Sequence, residues 1–302
     1  VQARRSGEGG KMFSQILQFM FSGVTVGATY ALAALGFTLI YNASNVINFA
    51  QGEFIMLGGI LTVFFFKTGL PLPVALLLAV AIPAMVGVLV EKLAIEPAKG
   101  AGVESLIIIT IGASLVLRGL VQISFGKGAA SFPAFSGDAP INIGGAALAP
   151  QSLWVLGTTA VVVLALWLFF NRTVAGKAIL ATSYDPLAAQ LVGVNTQLVL
   201  LVSFALSAAI GAMGGILLTP ITMTSYDVGI MLGLKGFVAA VVGGLGSGLG
   251  AVVGGLLVGI VEALTAGYVS SAYKDAVPFL LIFVILFFMP RGLFGAKTTE
   301  RV

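Results

Sequence analysis

Asn45-Val-Ile-Asn-Phe-Ala-Gln-Gly-Glu53 is a polar island between two apolar runs, 13-41 and 54-66. Hydrocarbon offers no water to backbone N–H and C=O groups. A helix broken by two asparagines, a glutamine and a glutamate is therefore tolerated only where protein surrounds it or it lines a wet cavity. Asn45, Asn48, Gln51 and Glu53 are accordingly candidates for the lining of a solute pathway. The competing reading is an interfacial turn with asparagine caps, in which Glu53 only complements the dipole of the helix it opens.

The rest of the chain makes the membrane its solvent. Of 302 residues 59% are hydrophobic and 9% charged, with a mean hydropathy of +1.11, outside the range of soluble domains. Apolar runs able to cross about 30 Å of hydrocarbon recur from Phe13 to Pro290 and leave no room for a nucleotide-binding domain. Cysteine and histidine are absent, which removes thiol nucleophiles, imidazole bases and the commonest transition-metal ligands. No cofactor and no metal site is expected. The net charge of +4 sits mainly just outside the spans, at residues such as Arg4, Arg5, Lys92, Arg172 and Arg291, so it reports orientation and gives no reason to expect nucleic acid as a partner.

The pattern predicts an all-α, polytopic membrane protein of about eight or nine transmembrane helices, two of them interrupted. Residues 1-11 read as a polar N-terminal tail, 12-295 as a single transmembrane domain and 296-302 as a C-terminal tail. The run after residue 11 is too long for a signal peptide and lacks a small-residue cleavage site. Spans are expected at 13-41, 54-66, 72-90, 105-124, 152-170, 197-219, 236-246, 249-269 and 276-289, with Arg118 snorkelling outward from the fourth. Loops 91-104 (Lys92, Lys99) and 171-196 (Arg172, Lys177) and the tail with Arg291, Lys297 and Arg301 carry the positive charge that marks cytoplasmic segments. Loop 125-151, with Lys127 and Asp138, reads as outward-facing and long enough for a small hairpin. Three crossings before residue 91 place Arg4, Arg5 and Lys11 outside, whereas a half-helix at 54-66 completing a broken span places them inside.

A second interruption covers 220-235 and contains Thr222-Met-Thr-Ser-Tyr-Asp-Val-Gly229 followed by Lys235. Tyr226, Asp227 and Lys235 join the candidate pathway. Asp227 either pairs with Lys235 in the membrane or lies in an extracytoplasmic loop. Each interruption precedes a short glycine-rich helix, 52-66 and 236-246, and paired interrupted helices point to an inverted repeat with a site near the midplane. The spacings Gly23/Gly27, Gly211/Gly215, Gly250/Gly254 and Gly255/Gly259 predict close helix packing, which also accounts for the chance dinucleotide-like run Gly246-Ser-Gly-Leu-Gly-Ala251. Glu262 falls mid-span and needs a buried partner or a water path, while Lys274 and Asp275 border a span as interfacial anchors.

In loop 171-196, Asp185-Pro186 is a helix start and Gly193 a stop, which predicts a short helix carrying Ala188 and Ala189. Such a helix suits docking into a groove on a partner protein, though it could also lie on the membrane surface.

Tyr30-Ala-Leu-Ala-Ala-Leu-Gly-Phe-Thr-Leu-Ile-Tyr41 followed by Val46-Ile-Asn-Phe-Ala-Gln-Gly-Glu53 resembles the signature of LivH-type permeases, the membrane subunits of bacterial branched-chain amino-acid ABC importers. The likeness continues through Asp185-Pro-Leu-Ala-Ala-Gln-Leu-Val-Gly-Val-Asn195, Leu234-Lys-Gly-Phe-Val-Ala-Ala-Val-Val-Gly-Gly-Leu-Gly-Ser247, Tyr273-Lys-Asp275 and Met289-Pro-Arg-Gly-Leu-Phe294, in order along nearly the whole chain. The resemblance implies a multi-pass protein of the bacterial inner membrane. It also implies four kinds of partner: the lipid bilayer, a second homologous permease subunit, two cytoplasmic ATPases and an extracytoplasmic substrate-binding protein. By the same likeness Ala188, Ala189 and Gly193 occupy the place of the EAA-type coupling loop. Asp185 is a loose analogue of its acid, because Asp-Pro-Leu stands where that loop has Glu directly. Gln51 stands where the family often has histidine.

The expected function is an ABC-importer permease for branched-chain or hydrophobic amino acids. The alternatives are a permease of this kind for urea, short amides or another small polar solute, and a passive channel. An enzyme is not expected, since histidine and cysteine are absent and no acids pair on one helix face.

Overall fold

The computed structural model describes residues 2–98, 100–137 and 139–295, with side chains from residue 12 onward. The expected C-terminal tail with Lys297 and Arg301, together with Lys99, Asp138 and the side chains of Arg4, Arg5 and Lys11, lies outside the described residues. Eleven helices follow one another: α1 Gln2–Ser44, α2 Gln51–Lys67, α3 Leu72–Val90, α4 Val103–Phe125, α5 Pro150–Arg172, α6 Val174–Tyr184, α7 Pro186–Leu191, α8 Thr196–Thr222, α9 Val228–Gly243, α10 Gly248–Tyr268 and α11 Val277–Phe288. Six stretches are long and apolar enough to cross a membrane, and α9 and α11 are shorter apolar helices. With α2, whose middle and end are apolar, they make nine membrane-embedded segments. The backbone of α1 takes in residues 2–11, the stretch expected as a tail.

α1 is the hub. Its apolar window is 89% buried, against 17% for α4 and α5, and it packs on α10, α8 and α9. The predicted small-residue spacings make these contacts. A Cβ on Gly23 would lie 2.7 Å from the Ile260 Cα, and Gly27 and Gly259 meet backbone to backbone across α1 and α10. Gly215 meets the α2 backbone at Ile55 in the same way, while Gly211 faces the side chains of Gln51 and Phe54, and Gly250 and Gly254 meet the α9 backbone. Apolar area is not gained when helices meet in lipid, so this closeness of backbones is where the association energy arises.

The loop 126-149 carries the expected hairpin, β1 Ile141–Ile143 and β2 Ala146–Leu148, with Ile141 paired to Leu148. It fixes the direction of α1: Gln18 Oε1 accepts from the Ala147 N–H at 2.7 Å, whereas Asn42 Nδ2 at the other end donates to the Gly246 carbonyl at 3.1 Å. α2 runs back toward the hairpin end, where the Phe64 ring meets the Phe125 ring with centroids 5.3 Å apart. α1, α2 and α3 are therefore three separate passes. The N-terminal end of α1 lies with the hairpin.

Two interruptions organise the centre. Asn45 (φ 55°) and Met223 (φ 62°) turn the chain in the left-handed region. Asparagine adopts this region readily; for methionine it costs about 1 kcal/mol or more. The second break is much shorter than expected. α9 begins at Val228, so only 223–227 are non-helical, and Lys235 sits inside a helix. Thr224 is pinned at the hairpin end by paired backbone hydrogen bonds with Ala130, both 2.8 Å, while the first break approaches the other third of α4 through Phe49 N–H to Thr110 Oγ1 at 3.2 Å.

Candidate functional site at the meeting of two broken helices

The N-termini of α2 and α9 converge in the middle of the bundle. Gly52 and Gly229 touch so closely that a Cβ on Gly52 would collide with the Gly229 carbonyl, and a Cβ on Gly229 would lie 3.0 Å from Glu53 Oε2. Two helix N-termini bring partial positive charge to one spot, and an anion there is favoured.

Glu53, 1% exposed, is that anion. Ala50 is the N-cap of α2 with no side-chain cap bond. Its Oε1 accepts from Ser114 Oγ at 2.8 Å and Arg118 Nη2 at 2.9 Å. Arg118 thus turns inward to a carboxylate instead of snorkelling, because a guanidinium keeps its charge and cannot shed the cost of burial by deprotonating. Thr110, Ser114 and Arg118 form a stripe at intervals of four along α4 that faces the first break. Sequence reading noticed only Arg118, and this spacing was the available signal for the other two.

The remaining island residues differ in role. Gln51 is fully buried, accepts from Ser207 Oγ at 2.6 Å and donates back to the Ser207 carbonyl at 3.2 Å. It ties α2 to α8 beneath Gly36, where a Cβ would collide with its amide. Asn48, also fully buried, accepts from the Ala50 N–H at 3.1 Å and leaves Nδ2 unpaired among the described residues. Asn45 is the exposed turn residue. Within the island, Gln51 bonds to α8 and Asn48 to the backbone of the break, while Glu53 alone presents charge.

Lys235 does not pair with Asp227. Its ammonium donates to Glu262 Oε1 at 2.8 Å and to Asp275 Oδ1 at 2.6 Å, and the Tyr30 hydroxyl donates to Glu262 Oε2 at 2.9 Å. The Lys235 Nζ also lies 5.6 Å from the centroid of the Tyr30 ring. Glu262 thereby has its buried partner, and Asp275, expected as an anchor, belongs to an ion-pair network. The bond from Lys235 holds the Asp275 carboxyl below its ordinary value of 3.8. Asp227 is exposed and accepts from Ser225 Oγ at 2.6 Å.

Tyr226 faces a cavity of ≈ 150 Å³ on the seam of α2 and α4, together with Ile60, Phe64, Lys67, Phe125 and Thr224. A larger apolar groove of ≈ 560 Å³ lies at the opposite end between α1, α5, α6 and α10, lined by Leu39, Trp167 and Leu249 among others. It touches neither charged cluster.

In loop 171-196 the short helix forms as expected. Asp185 caps α7 by accepting from the Leu187 and Ala188 N–H groups at 2.9 and 3.0 Å, and Gly193 ends it at φ 90°. α6, which sequence reading did not foresee, precedes it, with Thr173 accepting from the Gly176 N–H at its start. Ala188 faces outward but Ala189, 3% exposed, is turned into the protein. The outward face is formed by Tyr184 (91% exposed), Leu187, Leu191 (89%) and Val192.

Eight or nine apolar segments around two broken helices that meet mid-bundle define a multi-pass membrane protein built as a transporter. The chain belongs to the family described as branched-chain amino acid transport system / permease component, whose model matches residues 19–286. It is 35% identical to the high-affinity branched-chain amino acid transport system permease protein LivH of Escherichia coli K12, over 97% of this chain and 99% of that one. It is 33% identical to the corresponding permease protein BraD of Pseudomonas aeruginosa, over 95% and 98%. A probable branched-chain amino acid transport permease of Methanocaldococcus jannaschii is 30% identical over 87% and 88%. The family is one of transporter permeases and not of enzymes.

Proposed function

We propose that the chain is the membrane permease subunit of an ABC importer that carries branched-chain or other hydrophobic amino acids across the bacterial inner membrane. The supporting observation is the near full-length likeness to relatives named for high-affinity transport of these amino acids. ATP is hydrolysed by two separate cytoplasmic subunits, a second homologous permease completes the pathway, and an extracytoplasmic binding protein delivers the solute.

In this reading the solute passes Tyr226 and Asp227 at the second break and Glu53 at the first. Asn45, Asn48, Gln51 and Lys235 frame the path by holding the two breaks in place. Thrust enters at α7, where Asp185 and Gly193 delimit the helix and Ala188 lies on its exposed side. Ala189 seats the helix, so a bulky charge there would disturb folding and docking together. The exposed pair is the better probe. Leu187→Asp with Leu191→Asp should leave the permease inserted while ATPase co-purification and ATP-driven leucine uptake each fall by about tenfold or more, as expected when an apolar anchor is replaced by charge. Retained ATPase binding with normal uptake would refute α7 as the docking helix.

A further inference from the structure

The two buried charge clusters differ in how fully their bonding capacity is used. In the cluster of Lys235, both Glu262 oxygens are engaged, one by the ammonium and one by Tyr30. At Glu53, by contrast, Oε2 has no hydrogen-bond partner among the described residues, and neither has Arg118 Nε. Both atoms are buried, and an unpaired polar atom inside a membrane protein is costly. Such atoms are expected where a ligand, rather than the protein, supplies the missing partner.

The chemistry of the spare sites is complementary. One is a carboxylate oxygen that accepts, and the other is a guanidinium edge that donates. An α-amino acid in its zwitterionic form brings one ammonium and one carboxylate on a single carbon. It can insert between Glu53 and Arg118, exchanging one ion pair for two without leaving any charge unmatched. The converging N-termini of α2 and α9, where Glu53 Oε2 faces Gly229, favour the carboxylate form of Glu53 itself. Arg118 keeps 21% of its side chain exposed, so the pair lies at an edge of the seam and not in a closed core.

A cavity lies on the same seam as the pair. Ile60 and Phe125, which line the ≈ 150 Å³ cavity beside Tyr226, lie seven residues beyond Glu53 on α2 and beyond Arg118 on α4. That is two helical turns, about 10 Å toward the hairpin end. The cavity has an apolar wall of Ile60, Val63, Phe64 and Phe125 that suits an aliphatic side chain, with Lys67, Thr224 and Tyr226 supplying its polar groups.

From this we infer that Glu53 and Arg118 together form the binding site for the zwitterionic head of the transported amino acid, with Arg118 taking the α-carboxylate and Glu53 the α-ammonium. The inference rests on the amino-acid importer reading above and adds Arg118 as a specificity-determining residue. Between turns of transport the two residues neutralise each other. When the solute arrives they separate onto its two ends.

The test uses the assembled importer in proteoliposomes with radiolabelled leucine. The double variant Glu53→Gln with Arg118→Gln keeps a neutral hydrogen-bonding pair and should melt as the parent does, yet its ATP-driven uptake should fall by about tenfold or more. Leucine efflux from preloaded vesicles without ATP should not rise. Arg118→Lys keeps the charge but loses the planar fork, and should lose uptake by a comparable factor. Parental uptake in either variant overturns the site. So does raised efflux in the double variant, which would assign the pair to closing the path alone. Failure of the unmodified complex to take up leucine would instead sink the importer reading itself.

Discussion

The break at 45-50 and the cluster around Lys235 both bury opposite charges in an apolar bundle, and they do so to different ends. Around Lys235 four groups from α1, α9, α10 and the segment before α11 satisfy one another. Such a network is a strut, since each group is held by at least one other and both oxygens of the buried Glu262 are engaged. At Glu53 the network is left incomplete on both sides of the ion pair. Stability is expected to reside in the first cluster and transport in the second.

The largest way to break this comparison is Lys235→Ala. It strands Glu262 without a cation and should lower stability by about 3–5 kcal/mol, the cost of an uncompensated buried charge, measured by thermal unfolding of the purified protein. Tyr30→Phe removes one hydrogen bond to a charged group and should cost about 1.5–3 kcal/mol by the same measurement. Asp275→Asn should cost the least, up to about 1 kcal/mol, because its side chain is 47% exposed and its ion pair is screened by water.

The Asp275 contribution should also depend on pH. Its folded value lies below the ordinary 3.8, so the stabilisation is complete above that value and is lost as pH falls through the lower, folded one. Melting curves of the parent and Asp275→Asn should therefore converge in acid. If the Lys235 and Tyr30 variants kept the parental melting temperature but lost uptake, the two clusters would have exchanged roles.

Much of this was legible in the chain. Hydropathy placed the spans, with 72-90 reproduced to the residue as α3, and the glycine spacings identified the faces on which α1 meets α10 and α8 meets α2. The first break falls inside the expected island 45-53, where polar residues cluster, and ends at residue 50, just before α2 begins. The second was drawn too wide. Glycine and polar residues at 228–235 read as loop, yet a glycine-rich segment stays helical where neighbouring helices pack against it, as Gly229, Gly233 and Gly236 do against α2 and α1. α6 was missed because its mixed composition in a loop of limited length carries neither a membrane-span signal nor a strong apolar period.

The sequence alone determined that the chain lives in a membrane and where most of its spans lie, which follows from local composition measured against one solvent, the hydrocarbon interior. The family resemblance was carried by the order of its motifs along the chain. The partners of the buried charges were decided only in three dimensions. Arg118 reaches Glu53 across 65 residues and Tyr30 reaches Glu262 across 232, so no local spacing relates them. Which carboxylate a buried cation finds depends on which helix face the glycine contacts bring opposite it. The same packing turned Ala189 inward, left Leu187 and Leu191 outside, and left Glu53 and Arg118 each with an unused bonding site.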